Sequence, residues 1–318
     1  MATAALHVTA ADATGLLNKY ALPKVAMVVI AGAAGVGCAL TVAVDAGMGY
    51  AAAAGAYLVL MAVGTAMGGH LWQVWVLSPV RKLVGAADGT AYAERQVRLF
   101  GRIEAWAWPV AALALTWLAP RYLAAPSGTA ARAEAWALVA AALGLALWAV
   151  GRRTGRTWLS LAATAGLLVA AAALQVWYDR PGDMALLAWR ALHLLAVGAW
   201  FGGAVWNVAI AVRAAREDLR TPVVIMAHLQ LERFRAVVRL ALPVVLLTGL
   251  LQLHDLFAWN AGAIQGAFRT LVLVKLGLVG LLVVIFNTCP MWHACSPIAG
   301  MCVLDDLPVA GTEGDGAS

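Results

Sequence analysis

Leu194-Leu195-Ala196-Val197-Gly198-Ala199-Trp200-Phe201-Gly202-Gly203-Ala204-Val205-Trp206 is the stretch from which the rest of the chain can be read. It lies inside an apolar run, 186–212, and a bilayer core takes about 20 apolar residues per helix. Working outward, comparable runs occupy 23–45, 51–78, 97–118, 133–151, 157–178, 234–254 and 268–288, which makes about eight spans. They are long, rich in Ala and Leu, and lack the two-residue alternation of barrel strands. The chain of 318 residues is 63% hydrophobic and 12% charged, with a mean hydropathy of +0.83. That leaves too little charge to cover a soluble domain. The expectation is an all-α, polytopic membrane bundle.

The same pattern occurs earlier. Adding 134 carries Leu60 to Leu194, Gly64 to Gly198, Gly68 to Gly202 and Trp72 to Trp206. Without a gap it also carries Asp45 to Asp179, Phe100 to Phe234 and Pro109 to Pro243. One register held across three helices predicts two parallel four-helix repeats, 23–151 and 157–288. A short segment, 1–22, precedes them, and a Cys-containing tail, 289–318, follows. Gly64/Gly68 and Gly198/Gly202 are GxxxG pairs, which let helix backbones approach closely in lipid. Pro109 and Pro243 are expected to kink the third helix of each repeat.

The charges are segregated. With eight spans, one side collects residues such as Lys24, Arg81, Lys82, Arg95, Arg152, Arg153, Arg213, Arg216 and Arg233. The other carries Arg121, Arg132, Arg180 and Arg269 against Asp45, Asp179, Asp183 and Asp255. This is the positive-inside pattern, and it puts both termini in the cytoplasm of a cell with the chain in its inner (plasma) membrane. The +6 charge is therefore a topological signal, and nucleic acid is not an expected partner; lipid is. No cleavable signal is expected, since the first apolar run begins only at Pro23 and is long enough to span. Trp75, Trp158, Trp177, Trp189 and Trp259 fall near span ends, where amphipathic rings favour the interface.

Ionisable groups at membrane depth are costly and mark candidate sites. His193 and Lys275 each lie about seven residues in from the periplasmic side, roughly 10 Å deep at the helical rise. His254, Asp255, Met184 and Arg190 lie near them in the sequence reading, giving a periplasmic-side cluster in the second repeat. A second cluster faces the cytoplasm, with His70 and Glu104 at similar depth on antiparallel neighbours. His228 reads as a solvated surface residue, and Cys38 as apolar packing in the first helix. In the tail, Cys289, His293, Cys295 and Cys302 combine thiols with imidazole, the donors that favour Cu(I). The reducing cytoplasm argues against a disulfide there, and the spacing is not that of a zinc-type cysteine pair.

Leu192-His193-Leu194-Leu195-Ala196 through Trp200 to Gly202-Gly203 resembles the H-L-L-A-x-x-x-W-x-G-G signature of the CopD family of bacterial copper-resistance membrane proteins. Phe234 through Pro243 to Thr248-Gly249 resembles that family's Phe-then-Thr-Gly helix, and Leu273-Val274-Lys275-Leu276 its Lys-bearing last helix. The resemblance implies a transporter rather than an enzyme, moving copper across the inner membrane, often beside a small periplasmic copper-binding protein. On that reading imidazoles and Met sulfur (His193, His254, Met184, His70) pass the ion inward towards the tail thiols. The His-Trp motif is also similar to haem-binding four-helix protoporphyrinogen oxidases. That resemblance implies haem b on His193, with His254 or Lys275 opposite and His70 a further candidate, and electrons passing between a quinone and a cytochrome. A structural subunit of a membrane complex is the third reading.

The charge asymmetry makes one prediction about topology. A reporter fused after Ser318 is expected to be active as a cytoplasmic fusion and silent as a periplasmic one, and periplasmic activity would overturn the orientation.

Overall fold

The computed structural model describes residues 21–45, 48–79, 87–123, 144, 148, 151, 153–217, 221–259 and 266–288. Every element among them is helical. In chain order they are α1 (Ala21–Cys38), α2 (Tyr50–Leu71), α3 (Ala87–Leu123), α4 (Thr157–Asp179), α5 (Met184–Val205), the short α6 (Val212–Arg216), α7 (Thr221–Trp259) and α8 (Ala267–Thr288). Wider π-helical turns extend α1 over Ala39–Asp45, α2 over Trp72–Leu77 and α5 over Trp206–Ala211. In hydrocarbon a backbone must satisfy its own polar groups, and helices do so within the segment.

Six helices among the described residues are long and apolar enough to cross a membrane: Lys24–Ala43, Tyr50–Leu77, Thr157–Trp177, Met184–Ala215, Leu229–Asp255 and Phe268–Asn287. The chain is a multi-pass helical membrane protein. The count differs from the eight spans expected of the sequence, for two reasons. The expected span 97–118 is part of the 37-residue α3, whose first half carries Arg95, Arg98, Arg102 and Glu104. Of the expected span 133–151, only Gly144, Trp148 and Gly151 fall within the described residues.

At 37 and 39 residues, α3 and α7 would be ~55–58 Å long, well beyond a hydrocarbon core of ~30 Å. Their N-terminal turns therefore reach past the apolar layer, and their arginines find partners there. Arg95 donates to the Ala214 carbonyl at 3.0 Å and pairs with Glu217 at 3.6 Å, while the Tyr92 hydroxyl donates to the Ala211 carbonyl at 3.0 Å. Both long helices continue through their prolines, Pro109 and Pro243.

Lipid tails are as apolar as Leu, so helices in a bilayer associate through close packing and hydrogen bonds rather than through hydrophobic driving force. Helix α2 lies at the centre, against α5, α3 and α4, and α8 packs on α1. The α2–α5 contact is glycine on glycine. A Cβ added at Gly68 would sit 2.6 Å from the Gly202 Cα, one at Gly202 would sit 2.7 Å from the Gly68 Cα, and one at Gly64 would meet the Gly198 Cα at 3.4 Å. The two helices run parallel, because Gly64 meets Gly198 and four residues later Gly68 meets Gly202. Below this crossing, Trp72 and Trp206 stack with centroids 6.1 Å apart, enclosed by Phe100 and Phe234. The indole of Trp72 donates to Gln230 at 3.1 Å and that of Trp206 to Gln96 at 2.7 Å. At the opposite end, Gly182 turns the chain at φ 92°, a conformation that suits only glycine. Asp183 then caps α5 by accepting from the Leu186 amide at 2.9 Å.

Because backbone atoms leave no room for a methyl at the crossing, Gly68→Ala and Gly202→Ala are expected to destabilise the bundle by about 1–3 kcal/mol each. Gly101→Ala, where a Cβ meets nothing within 4 Å, is expected to be neutral. Unfolding of purified variants in detergent measures the difference.

Candidate functional site

A cavity of about 230 Å³ lies between α1, α2, α5, α7 and α8. Its walls are mainly apolar, with His193, Lys275, Arg190 and Cys38 among the polar or polarisable groups. Its outer rim includes Arg180 and Asp255. Arg180 reaches from the α4–α5 turn to form an ion pair with Asp255 near the end of α7, and lies 3.9 Å from Asp183.

His193 is oriented by Thr248. The imidazole Nδ1 lies 3.0 Å from the Thr248 Oγ1, and the same hydroxyl contacts the Val244 carbonyl one turn earlier on α7. A threonine has one O–H to give. With it committed to Val244, Oγ1 accepts from the ring, so the Nδ1 carries the proton and the Nε2 keeps its lone pair. A partner on one ring nitrogen that settles the state of the other is the usual support of a histidine ligand. Gly249 makes room for the ring, since a Cβ there would already touch its Cε1 at 3.5 Å.

Lys275 does not run outward to the interface. Its Nζ faces α1, where a Cβ at Gly37 would lie 3.2 Å away. The other members of the expected outer cluster are not gathered with His193. Met184 is 71% exposed, His254 is exposed, and neither lines the cavity. The reason is position: Met184 opens α5, and His254 sits at the mouth, on a different face of α7 from its neighbour Asp255. Among the described residues no three of His, Cys, Asp and Glu come close enough to hold a metal ion. Cys289, His293, Cys295 and Cys302 lie outside the described residues.

The expected second pair, His70 and Glu104, is in direct contact. His70 Nε2 lies 2.9 Å from Glu104 Oε1, with both side chains buried. The same oxygen accepts from the Trp148 indole at 2.8 Å and from the Trp108 indole at 3.5 Å. Phe100 meets the imidazole edge to face at 5.3 Å. The Nε2 of His70 is therefore engaged by a carboxylate, while its Nδ1 is buried with no hydrogen-bond partner. Similar depth on neighbouring helices was legible in the sequence; the Trp148 indole was not, because it is distant along the chain, whereas Trp108 lies one helical turn from Glu104. The orienting role of Thr248 was also missed, although the Thr248-Gly249 step, a hydroxyl beside a missing side chain, is the local signal for it. Arg190, Cys38 and Met61 also line the cavity wall.

Compared with protein-family models, with curated proteins and with solved structures, the chain matches none.

Glu104 gathers three N–H groups on one oxygen, and removing it strands them in an apolar interior. Glu104→Leu is expected to cost on the order of 3 kcal/mol of stability, and Glu104→Gln, which keeps an acceptor oxygen, clearly less. Thermal unfolding in detergent measures both.

Proposed function

We propose that this chain is a copper-transport protein of the bacterial inner membrane, with His193 as its central ligand. The observation that carries the reading is the hydrogen bond from His193 to Thr248, which leaves an imidazole lone pair open on a cavity inside the bundle. A neutral imidazole held by a second partner is the form in which histidine binds a transition metal. The resemblance of 186–288 to the CopD family agrees with it, since His193, Thr248 and Lys275 all belong to the resembling segments.

The two-repeat architecture is part of the proposal, and several pairs support it. Gly64 and Gly68 meet Gly198 and Gly202, their counterparts at the offset of 134. Trp72 bonds Gln230 while Trp206 bonds Gln96, an exchange that maps onto itself under the same offset. The π-helical turns Trp72–Leu77 and Trp206–Ala211 correspond end to end. Against this shared frame the polar groups differ. His193 and Thr248 correspond to Val59 and Ala114, and His70 and Glu104 to Ala204 and Val238. Each repeat carries one polar site, the second on the outer half and the first on the inner, as a path across the membrane requires.

Lys275 and Arg190 in the cavity favour a second reading, haem b bound at His193. Both cations would suit the acidic groups of a porphyrin. Bound haem would supply one-electron chemistry, while His193 would hold its iron and Thr248 would orient the ring.

The test uses the purified protein. Copper that co-purifies or rebinds without a Soret band is the expected result, with His193→Ala losing it and remaining in the membrane. Thr248→Val is expected to weaken binding about 10- to 100-fold, the usual effect of removing a ligand's support. A Soret band lost in His193→Ala would decide for haem. Copper movement unchanged in His193→Ala would remove the site from the function.

A further inference from the structure

We infer that the cavity takes a single-chain amphipathic acid from the bilayer, its carboxylate on the Lys275 ammonium and its apolar chain in a slot between α7 and α8. The inference goes beyond the copper reading and does not rest on it, since it concerns Lys275, to which that reading gives no task.

Two leucines of the cavity wall are also exposed on the outside of the bundle, Leu250 on α7 at 57% and Leu276 on α8 at 46%. A side chain that lines a cavity and also faces outward marks an opening, and this one lies between two helices, on the surface that meets lipid. Helix α7 packs on α5, and α8 on α1. Apolar clusters bound the opening at both ends. One holds Val238 and Ala241 of α7 with Leu282 and Ile285 of α8, the other Leu253 of α7 with Phe268 and Val272 of α8. The stretches between them, Ala241 to Leu253 and Val272 to Leu282, are ~15–18 Å long at the helical rise. That is a slot for an extended chain. The cavity of about 230 Å³ is smaller than the roughly 300–1,000 Å³ of pockets that enclose a drug-sized ligand whole. It therefore suits one chain rather than two, with the tail continuing through the slot into lipid.

The charge on the wall selects the head group. Lys275 lies inside the bundle against α1, where a Cβ at Gly37 would be 3.2 Å from its Nζ. An ammonium at this depth is costly without a counter-charge. Among the described residues no carboxylate pairs with it; those at the rim, Asp255 and Asp183, lie against Arg180. Arg190, buried on the same wall, adds a second positive charge. A carboxylate set on Lys275 leaves that pair without net charge. Lipid tails are as apolar as the slot, so the chain brings the molecule in sideways and the ion pair holds it there. A neutral ester of the same chain lacks that hold. Lys275 also acts electrostatically on His193, so an acid bound to it offsets positive charge that a cation at His193 otherwise meets.

The test uses the full chain, delipidated in detergent and kept metal-free with a chelator, so that its outcome is independent of whether His193 binds copper. Mixed with palmitic acid, the protein is expected to hold one molecule per chain by native mass spectrometry, with saturation on titration. Methyl palmitate should bind at least about tenfold more weakly, the usual effect of losing a hydrogen bond to a charged group. Lys275→Met should weaken palmitate binding by a similar factor and Lys275→Arg by less. Leu276→Trp, which fills the slot and leaves the charge, should weaken it too. Helical circular dichroism is expected to be unchanged in all three variants. Equal binding of acid and ester, or wild-type affinity in Lys275→Met, would overturn the assignment of the head group. Competition by two-chain phosphatidic acid as strong as by palmitic acid would overturn the single chain. Absence of saturable binding would overturn the site and leave the copper reading where it stands.

Discussion

Helices α2 and α5 touch backbone to backbone at Gly64, Gly68, Gly198 and Gly202, and the arrangement of the polar groups follows from that crossing. In a bilayer such an approach gains dispersion contacts that no side-chain-mediated contact could match at the same separation. It also leaves room for neighbours on either side. Towards one end, the side chains that diverge from the crossing include His193 and Met61, and the gap they bound is the cavity. Towards the other, Trp72 and Trp206 close the space by stacking on each other. An open half and a filled half thus come from one contact.

Polar groups inside the bundle are few, and those in hydrogen bonds are held in specific ways. Indoles donate to carboxamides at Gln96 and Gln230, three N–H groups converge on Glu104, and Thr248 uses its hydroxyl in both directions. Each arrangement answers the cost of an unmet donor or acceptor in a medium without water. The consequence for chemistry is selective. One nitrogen of His193 is held by Thr248 and one nitrogen of His70 by Glu104, while the Nδ1 of His70 is buried with no hydrogen-bond partner. The two differ in partner: a hydroxyl that also meets the Val244 carbonyl at His193, and a carboxylate shared with two indoles at His70.

The long helices α3 and α7 add a structural constraint of their own. Their charged N-terminal turns cannot lie in hydrocarbon, so they extend beyond it and anchor the basic end through Tyr92, Arg95 and Glu217. This explains why a hydropathy reading of 97–118 alone understates the helix that contains it. The apolar window is only the middle of an element whose ends are set by where its arginines can be solvated or paired.

The amino-acid sequence by itself determined the class of the molecule. Runs of about 20 apolar residues admit only helices in a bilayer, and the GxxxG pairs marked where two of them would meet. That His70 and Glu104 lie level on neighbouring helices was also legible, because level follows from counting residues along a helix. What tertiary structure alone decided is which way each side chain faces and whom it meets. Residues one position apart on a helix differ by about 100° in direction. That is why Asp255 lines the cavity and His254 does not, why Lys275 turns inward to Gly37, and why Cys38 and Met61 share a wall with His193. Such juxtapositions join residues far apart in the chain, and no local pattern encodes them; they follow from how close two backbones can come.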